Sequence, residues 1–173
     1  TVFLQEVVGR QLSKLDTAII TKGTFTFEGV QDSAVNRYIT SGKGNEALLI
    51  DFFLENGKIN IALTRDNDSA TGTANNDAYQ EIRNKINVLN QKATPLYESM
   101  RSADITDEQK EANMKELEKL EEELGQVYKE GIEKNITNPV GIHLFKSNYY
   151  NMTTAENDAL LQQIPAQFQN DET

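Results

Sequence analysis

The sequence has no cysteine, no tryptophan and only one histidine among its 173 residues. Without cysteine, this chain can supply neither a thiolate nucleophile nor a redox-active disulfide, because both depend on that residue's sulfur. Apolar runs are also short: the longest, residues 47–54, is interrupted by Asp51. A membrane-spanning helix needs roughly 20 consecutive apolar residues. These absences exclude thiol chemistry within this chain and predict that no helix of it crosses a membrane.

Acidic residues outnumber basic ones by 27 to 17, which gives a formal net charge of −10. Phosphate backbones and anionic lipid headgroups repel such a chain, so we expect neither nucleic acid nor a membrane surface as its partner. Hydrophobic residues make up 38% and charged residues 25% of the sequence, which is typical of a globular protein. A chain of this length can bury a core without disulfides or metals.

The first 73 residues predict β structure, because short runs rich in Val, Ile, Thr and Phe alternate with Gly, Asn and Asp turns. The candidate strands are residues 2–8, 15–21, 24–27, 38–40, 48–54, 59–63 and 70–73. Asn56-Gly57 predicts a type I′ hairpin between residues 48–54 and 59–63. Lys22-Gly23 predicts a second hairpin into residues 24–27, with Phe25 and Phe27 on one face.

From Asp77 onward apolar residues recur every three or four positions, which predicts amphipathic helices. The first helical stripe consists of Tyr79, Ile82, Ile86, Leu89, Ala93, Leu96 and Met100. Pro95 lies inside it and predicts a kink or a break. The second stripe consists of Leu117, Leu120, Leu124, Val127 and Gly131.

Sequence signals for helix starts predict three further boundaries. Thr106 with Gln109 forms a capping-box pattern that begins the second long helix. Pro139 favours the start of a third helix, and Thr153 with Glu156 forms another capping box. We expect a polar tail from residue 167 onward.

These patterns predict an α+β fold with an N-terminal antiparallel β sandwich or partly open barrel, then a long antiparallel helical hairpin and two shorter helices. The hairpin loop is expected at residues 102–105. We expect a β-rich subdomain at residues 1–75 and an α-helical subdomain at residues 76–173, which together form one accessory unit.

Four features resemble functional sites and are better explained by structure. His143 has no second metal ligand at helical spacing, so a structural role is favoured. Residues 66–77 match a calcium loop at their acidic first, third and twelfth positions, but Thr71 stands where its sharp turn needs glycine. Residues 41–44 lack the spacing of a phosphate-binding loop and predict a mobile loop.

The fourth feature is an acidic segment, residues 104–134, with 11 Asp and Glu against 5 Lys. Its acids fall mostly opposite the apolar stripe, and Glu111–Lys115 and Glu130–Lys134 have the spacing of helical ion pairs. A solvated helix face is therefore predicted, with a carboxylate-pair hydrolase as the least favoured reading. We assign no catalytic residue, no cofactor-binding residue, no metal ligand and no cofactor.

Several segments resemble a known family in content and order. They are residues 1–6 (TVFLQE), 15–29 (LDTAIITKGTFTFEG), 53–59 (FLENGKI), 71–77 (TGTANND) and 135–141 (NITNPVG). The sequence is similar to the domain of unknown function that precedes a thioredoxin-like domain in exported thiol-disulfide oxidoreductases of Gram-negative gut bacteria. That redox domain belongs among relatives of the alkyl hydroperoxide reductase and thiol-specific antioxidant family.

The resemblance implies a non-catalytic accessory domain that positions the redox domain or its clients. Its expected partners are a C-terminal thioredoxin-like domain of the same polypeptide and a second copy of the chain. It implies a periplasmic or outer-surface location, with contact to a membrane only through an upstream anchor. The family's first strand would precede Thr1, and its Cys-x-x-Cys domain would follow Thr173. A free-standing periplasmic peptide- or glycan-binding module is the alternative.

Overall fold

The computed structural model describes residues 1–169 and confirms the α+β class. The chain divides into two compact units, Thr1–Gln80 and Glu81–Thr173. The strands are β1 (Val2–Val8), β2 (Gln11–Ala18), β3 (Val35–Ser41), β4 (Leu48–Leu54), β5 (Asn60–Ala62) and β6 (Ser69–Thr71). The α-helices are α1 (Ala74–Met100), α2 (Asp107–Asn135), α3 (Pro139–Asn148), α4 (Thr154–Leu161) and α5 (Ala166–Gln169).

The first unit contains two antiparallel sheets. Four strands form the larger sheet in the order β2-β1-β3-β4, and β5 pairs with β6 in the smaller one. The sheet is therefore open, with β2 and β4 at its edges, and it does not close into a barrel. A β-bulge between Leu4 and Gln5 interrupts the register of β1 with β2.

One hydrophobic cluster joins the two sheets of the first unit. Strand alternation places Leu4, Ile39, Ile50 and Phe52 on the same face of the larger sheet. The buried members of the cluster are Val2, Leu4, Ala18, Ile39, Ile50, Phe52 and Ala70, and the partly buried ones are Phe25, Phe27, Leu54, Ile59, Ile61 and Leu63. The prediction that Phe25 and Phe27 share a face is confirmed, and Ile59, Ile61 and Leu63 pack against the same cluster.

The predicted hairpin of β4 with residues 59–63 is wrong. β4 pairs with β3, and β5 pairs with β6. A type I′ turn needs positive φ at both central residues. Gly57 has φ +138°, but Lys22 is the one non-glycine residue with positive φ in the described part of the chain, so Asn56 does not satisfy that geometry. The chain therefore crosses from one sheet to the other at this point.

The type I′ geometry occurs instead at Lys22-Gly23, with φ values of +52° and +80°. Thr21 and Thr24 exchange both backbone hydrogen bonds across it, at 2.8 and 3.1 Å. The turn is thus as predicted, but the ladder stops at this one bridge. Beyond Thr24, residues 25–27 belong to no ladder, so the predicted paired strand does not form.

In the second unit, α2 runs antiparallel to α1, which confirms the helical hairpin. Lys134 of α2 contacts Glu81 of α1 at 3.3 Å, and Asn113 donates to the Ser99 hydroxyl at 3.2 Å near the hairpin loop. Helix α1 continues through Pro95, so the break expected there is not present. A proline removes one backbone hydrogen bond from a helix, and the neighbouring turns stay helical. None of the helices within residues 1–169 is long and apolar enough to span a membrane.

The apolar stripe of α2 is confirmed. Leu117, Leu120 and Gly131 are buried, whereas Leu124 and Val127 are half-buried. Gly131 lies in a tight contact, because an added Cβ would be 3.0 Å from Ile82 Cδ1 and 3.4 Å from Leu144 Cδ1, and these side chains would have to shift to make room for it. The absence of a side chain at this position therefore allows α1 and α3 to approach α2.

The shorter helices begin at the caps that the sequence predicts. Pro139 is the first residue of α3, and the Asn138 side chain accepts hydrogen bonds from the two following amides. Thr153 and Glu156 form a complete capping box at α4. The chain is helical again at Ala166–Gln169, so the predicted polar tail does not begin at residue 167, and its remainder, residues 170–173, lies outside the described residues.

The capping box of α4 makes stability depend on acidic pH. The Thr153 backbone amide, followed by the Lys129 ammonium, lowers the pKa of Glu156 to about 2. A lowered pKa contributes stability above the unfolded-state value, about 4.3, and loses it as the pH falls toward 2. Glu156→Gln should therefore have a lower free energy of unfolding than wild type at neutral pH. This difference should shrink as the pH falls from about 4.5 to 2, because wild type loses the same stabilisation there.

The control for this prediction is Glu118→Gln, at an exposed acid of α2. Urea unfolding from pH 7 to pH 2 should give a difference between wild type and Glu156→Gln that shrinks as the pH falls, and no such trend for Glu118→Gln. A constant difference for Glu156→Gln would show that the carboxylate is not held in its charged form.

Candidate functional site

The first unit contains a cleft of about 650 Å³. Its floor is the apolar face of the larger sheet, at Leu4, Ile39 and Phe52. One wall is residues 23–31 and the other is residues 54–61. The volume lies within the range of about 300–1,000 Å³ that is common for ligand sites.

Phe25 and Phe27 are the principal apolar side chains of the first wall. Their rings meet edge to face with centroids 6.0 Å apart, and both pack against the hydrophobic cluster. The facing wall contributes Ile59 and Ile61. All four are half-buried, so the cleft offers apolar surface that is accessible to a ligand.

Asparagine side chains hold the two walls in place. Asn56 bridges them, because its amide accepts from the Gln31 backbone N–H at 3.0 Å and donates to the Gln31 carbonyl at 2.7 Å. Asn75 of α1 donates its backbone N–H to Glu55 Oε1 at 3.2 Å and its side-chain amide to Glu55 Oε2 at 2.6 Å. The Asn56-Gly57 pair therefore braces the cleft instead of turning a hairpin.

Residues 25–30 have an unusual backbone. They belong to no helix or ladder, and no hydrogen bond joins their N–H and C=O groups to other residues in the range 1–169. Along residues 25–28 half-buried and exposed side chains alternate, as they do in a strand. Each peptide unit carries a donor and an acceptor that normally find partners. This segment thus presents unpaired backbone groups beside an apolar cleft.

Acidic residues outnumber basic residues around the cleft. Asp16, Glu28 and Glu55 supply three carboxylates, and Lys58 supplies one ammonium group. Asp16, Glu28 and Lys58 are exposed and Glu55 is half-buried. The rim is therefore net negative and favours a ligand with positive charge.

The opposite face of the larger sheet carries a polar cluster in contact with the start of α1. Tyr79 donates to Asp51 Oδ2 at 2.7 Å and packs edge to face on Phe53 at 5.4 Å. Tyr38 lies opposite Asp51 in the β3–β4 ladder, and burial, followed by the Asp51 charge, raises its pKa. The Tyr38 phenol stays protonated at neutral pH, so we interpret the cluster as a structural brace.

His143 and residues 66–77, which resemble metal sites in sequence, are not grouped with other ligands among residues 1–169. No group of three or more His, Asp or Glu side chains there is arranged to hold a metal ion, and His143 is half-buried in α3. β6 passes through the middle of residues 66–77. Asp77 lies in the first turn of α1 and accepts from the Gly72 amide at 2.8 Å, which leaves no continuous calcium loop.

The acidic helix face and the glycine-containing loop are also structural. Lys115 pairs with Glu111 at 3.0 Å, as predicted, but Glu130–Lys134 does not form. Glu130 accepts from Gln126 instead, and Lys134 reaches Glu81. Residues 41–44 lead from the end of β3 into a 3₁₀ turn, Gly44–Glu46.

The helical hairpin exposes three large apolar side chains. Val88 and Tyr97 of α1 and Met114 of α2 are each about half exposed, at 52%, 47% and 53%. Val88 and Tyr97 are nine residues apart, so they lie on opposite faces of α1 and do not form one apolar patch.

The fold and the cleft define a class of protein: an α+β chain whose open sheet borders an accessible apolar groove. Residues 1–79 match the family described as a domain of unknown function, DUF4369. The match ends close to the boundary of the first unit at Gln80 and covers less than half of the chain. No curated protein and no solved structure matches this chain.

Proposed function

We propose that this chain is the non-catalytic accessory part of an exported thiol-disulfide oxidoreductase, in which it positions a thioredoxin-like domain or that domain's clients. The observation that carries the proposal is the position of the cleft. All of its lining residues lie within residues 1–79, the part that matches the domain of unknown function. The sequence resemblance supplies the redox context, together with a periplasmic or outer-surface location and an upstream anchor.

Flanking DNA provides the most direct test of this context. We expect an export signal encoded before Thr1 and a Cys-x-x-Cys redox domain encoded after Thr173. A stop codon directly after Thr173 would contradict the proposal.

A disulfide-reduction assay tests the non-catalytic role. Residues 1–173 should give no turnover of insulin disulfides above the uncatalysed rate, because the chain has no cysteine to form a mixed disulfide. The downstream redox domain, joined to this chain, is the positive control. Appreciable turnover by the cysteine-free chain alone would refute the assignment.

The helical hairpin is the second contact of the proposed accessory role. We assign it to docking of the redox domain, with a second copy of the chain as the other candidate. Sedimentation velocity of residues 1–173 separates the two, because a chain that remains monomeric at high concentration does not bind a second copy there.

A free-standing peptide- or glycan-binding module is the alternative function. The unpaired backbone of residues 25–30 favours a peptide, since peptide groups can complete a strand ladder. A gene that ends at Thr173 would favour this alternative.

A further inference from the structure

We propose that the cleft binds an extended polypeptide segment by strand addition to residues 25–30. The segment carries apolar side chains at alternate positions and a lysine or arginine beside them. This inference rests on the proposed accessory role and names the chemistry of the client. The alternative peptide-binding function would use the same site.

The backbone of residues 25–30 supplies the first recognition element. Within the described chain its N–H and C=O groups hydrogen-bond to nothing, and half-buried and exposed side chains alternate along residues 25–28 as in a strand. An incoming strand would pair with one side of this edge, and main-chain hydrogen bonds of that kind provide affinity without sequence preference.

The apolar floor and walls supply the second element. Every other side chain of an added strand points to the same face. Side chains on the cleft side would contact Phe25, Phe27 and Ile61, which line it and are half-buried. This contact selects segments with alternating apolar residues, a pattern that folded proteins normally bury in their own sheets.

Charge supplies the third element and fixes the identity of the occupant. Three carboxylates, Asp16, Glu28 and Glu55, face a single ammonium group, that of Lys58, around the cleft. A segment with a basic residue is therefore preferred over an acidic one. The chain's net charge of −10 adds to this preference.

The probe for the test is a fluorescein-labelled peptide, Arg-Val-Thr-Ile-Thr-Val, with a blocked C-terminus. Fluorescence anisotropy with residues 1–173 should show saturable binding, with a dissociation constant in the micromolar range. Replacement of the peptide's arginine by glutamate should weaken binding about threefold or more. No binding up to about 1 mM, or equal binding of both peptides, would overturn the proposal.

Two N-methylated probes separate strand addition from simple apolar contact. One carries N-methyl groups on its odd residues and the other on its even residues. Alternate N–H groups of a strand point in opposite directions, so one probe should lose binding at least about tenfold and the other should bind like the parent. Loss with both probes, or with neither, would contradict strand addition.

Protein variants locate the site. Glu28→Lys should weaken binding of the arginine probe about threefold. The matched control is Glu46→Lys, at an exposed acid that does not line the cleft, and it should leave binding unchanged. Equal effects of the two variants would place binding elsewhere. If a redox domain is encoded downstream but the probe does not bind, only this inference is refuted. If the probe binds but no redox domain is encoded downstream, only the proposed redox context is refuted.

Discussion

Replacement of Gly141 by alanine is expected to lower the free energy of unfolding of the helical unit by about 3 kcal/mol or more. Gly141 lies in the first turn of α3, where the chain passes directly over the end of α2. A Cβ added there would overlap the carbonyl group of Asn135 and the backbone nitrogen of Ile136. Backbone atoms cannot rotate away as a side chain can, so the junction of α2 and α3 would have to separate.

The matched control is Gly125→Ala in the middle of α2. An added Cβ at this position meets nothing within 4 Å, and alanine is the better helix former by about 0.5–1 kcal/mol. Urea unfolding followed by circular dichroism should thus show changes of opposite sign for the two substitutions. A Gly141→Ala protein as stable as wild type would contradict the described junction of α2 and α3.

Asn76→Ala is expected to destabilise the first unit by about 3 kcal/mol. The Asn76 side chain is 1% exposed. Its amide accepts from the Phe53 N–H at 2.9 Å and donates to the Phe53 carbonyl at 2.7 Å. The side chain thereby pairs with the edge of β4 as a neighbouring strand would. Alanine would remove both of these hydrogen bonds to the buried Phe53 backbone, and the loss of a partner for a buried group costs about 1–3 kcal/mol.

Two further substitutions control this experiment. Asn90→Ala, at an exposed position of the same helix, should change the unfolding free energy by less than about 0.5 kcal/mol. Asn76→Asp keeps an acceptor for the Phe53 N–H but loses the donor and adds a buried charge, so it should also destabilise. If Asn76→Ala unfolds at the same urea concentration as wild type, the amide does not hold this strand edge.

Much of the helical unit could be predicted from the sequence because its signals are local. Thr106 with Gln109, and Thr153 with Glu156, form capping boxes within four residues of sequence. The stripe from Leu117 to Gly131 repeats with the helix period and is buried as expected. Lys134 was predicted to pair with Glu130. Its contact with Glu81 could not be predicted, because Glu81 is distant in sequence.

Strand pairing in the first unit was less predictable because pairing is a long-range choice. The alternation of residues 24–27 correctly placed Phe25 and Phe27 toward the core, but alternation does not reveal whether a ladder partner exists. Asn56-Gly57 has the composition of a hairpin turn, yet the Asn56 side chain is engaged with Gln31, 25 residues earlier. The cleft exists because residues 25–27 have no ladder partner and because Asn56 contacts Gln31. Neither feature can be found from local sequence patterns.

The most direct test of the account is an amide NMR titration of isotopically labelled residues 1–173 with the arginine probe. If the peptide adds as a strand to residues 25–30, their amide chemical shifts should change and their amide exchange should slow, with smaller shift changes across the cleft at residues 54–61. Perturbations confined to the α1–α2 hairpin, or no perturbation at saturating probe, would contradict it.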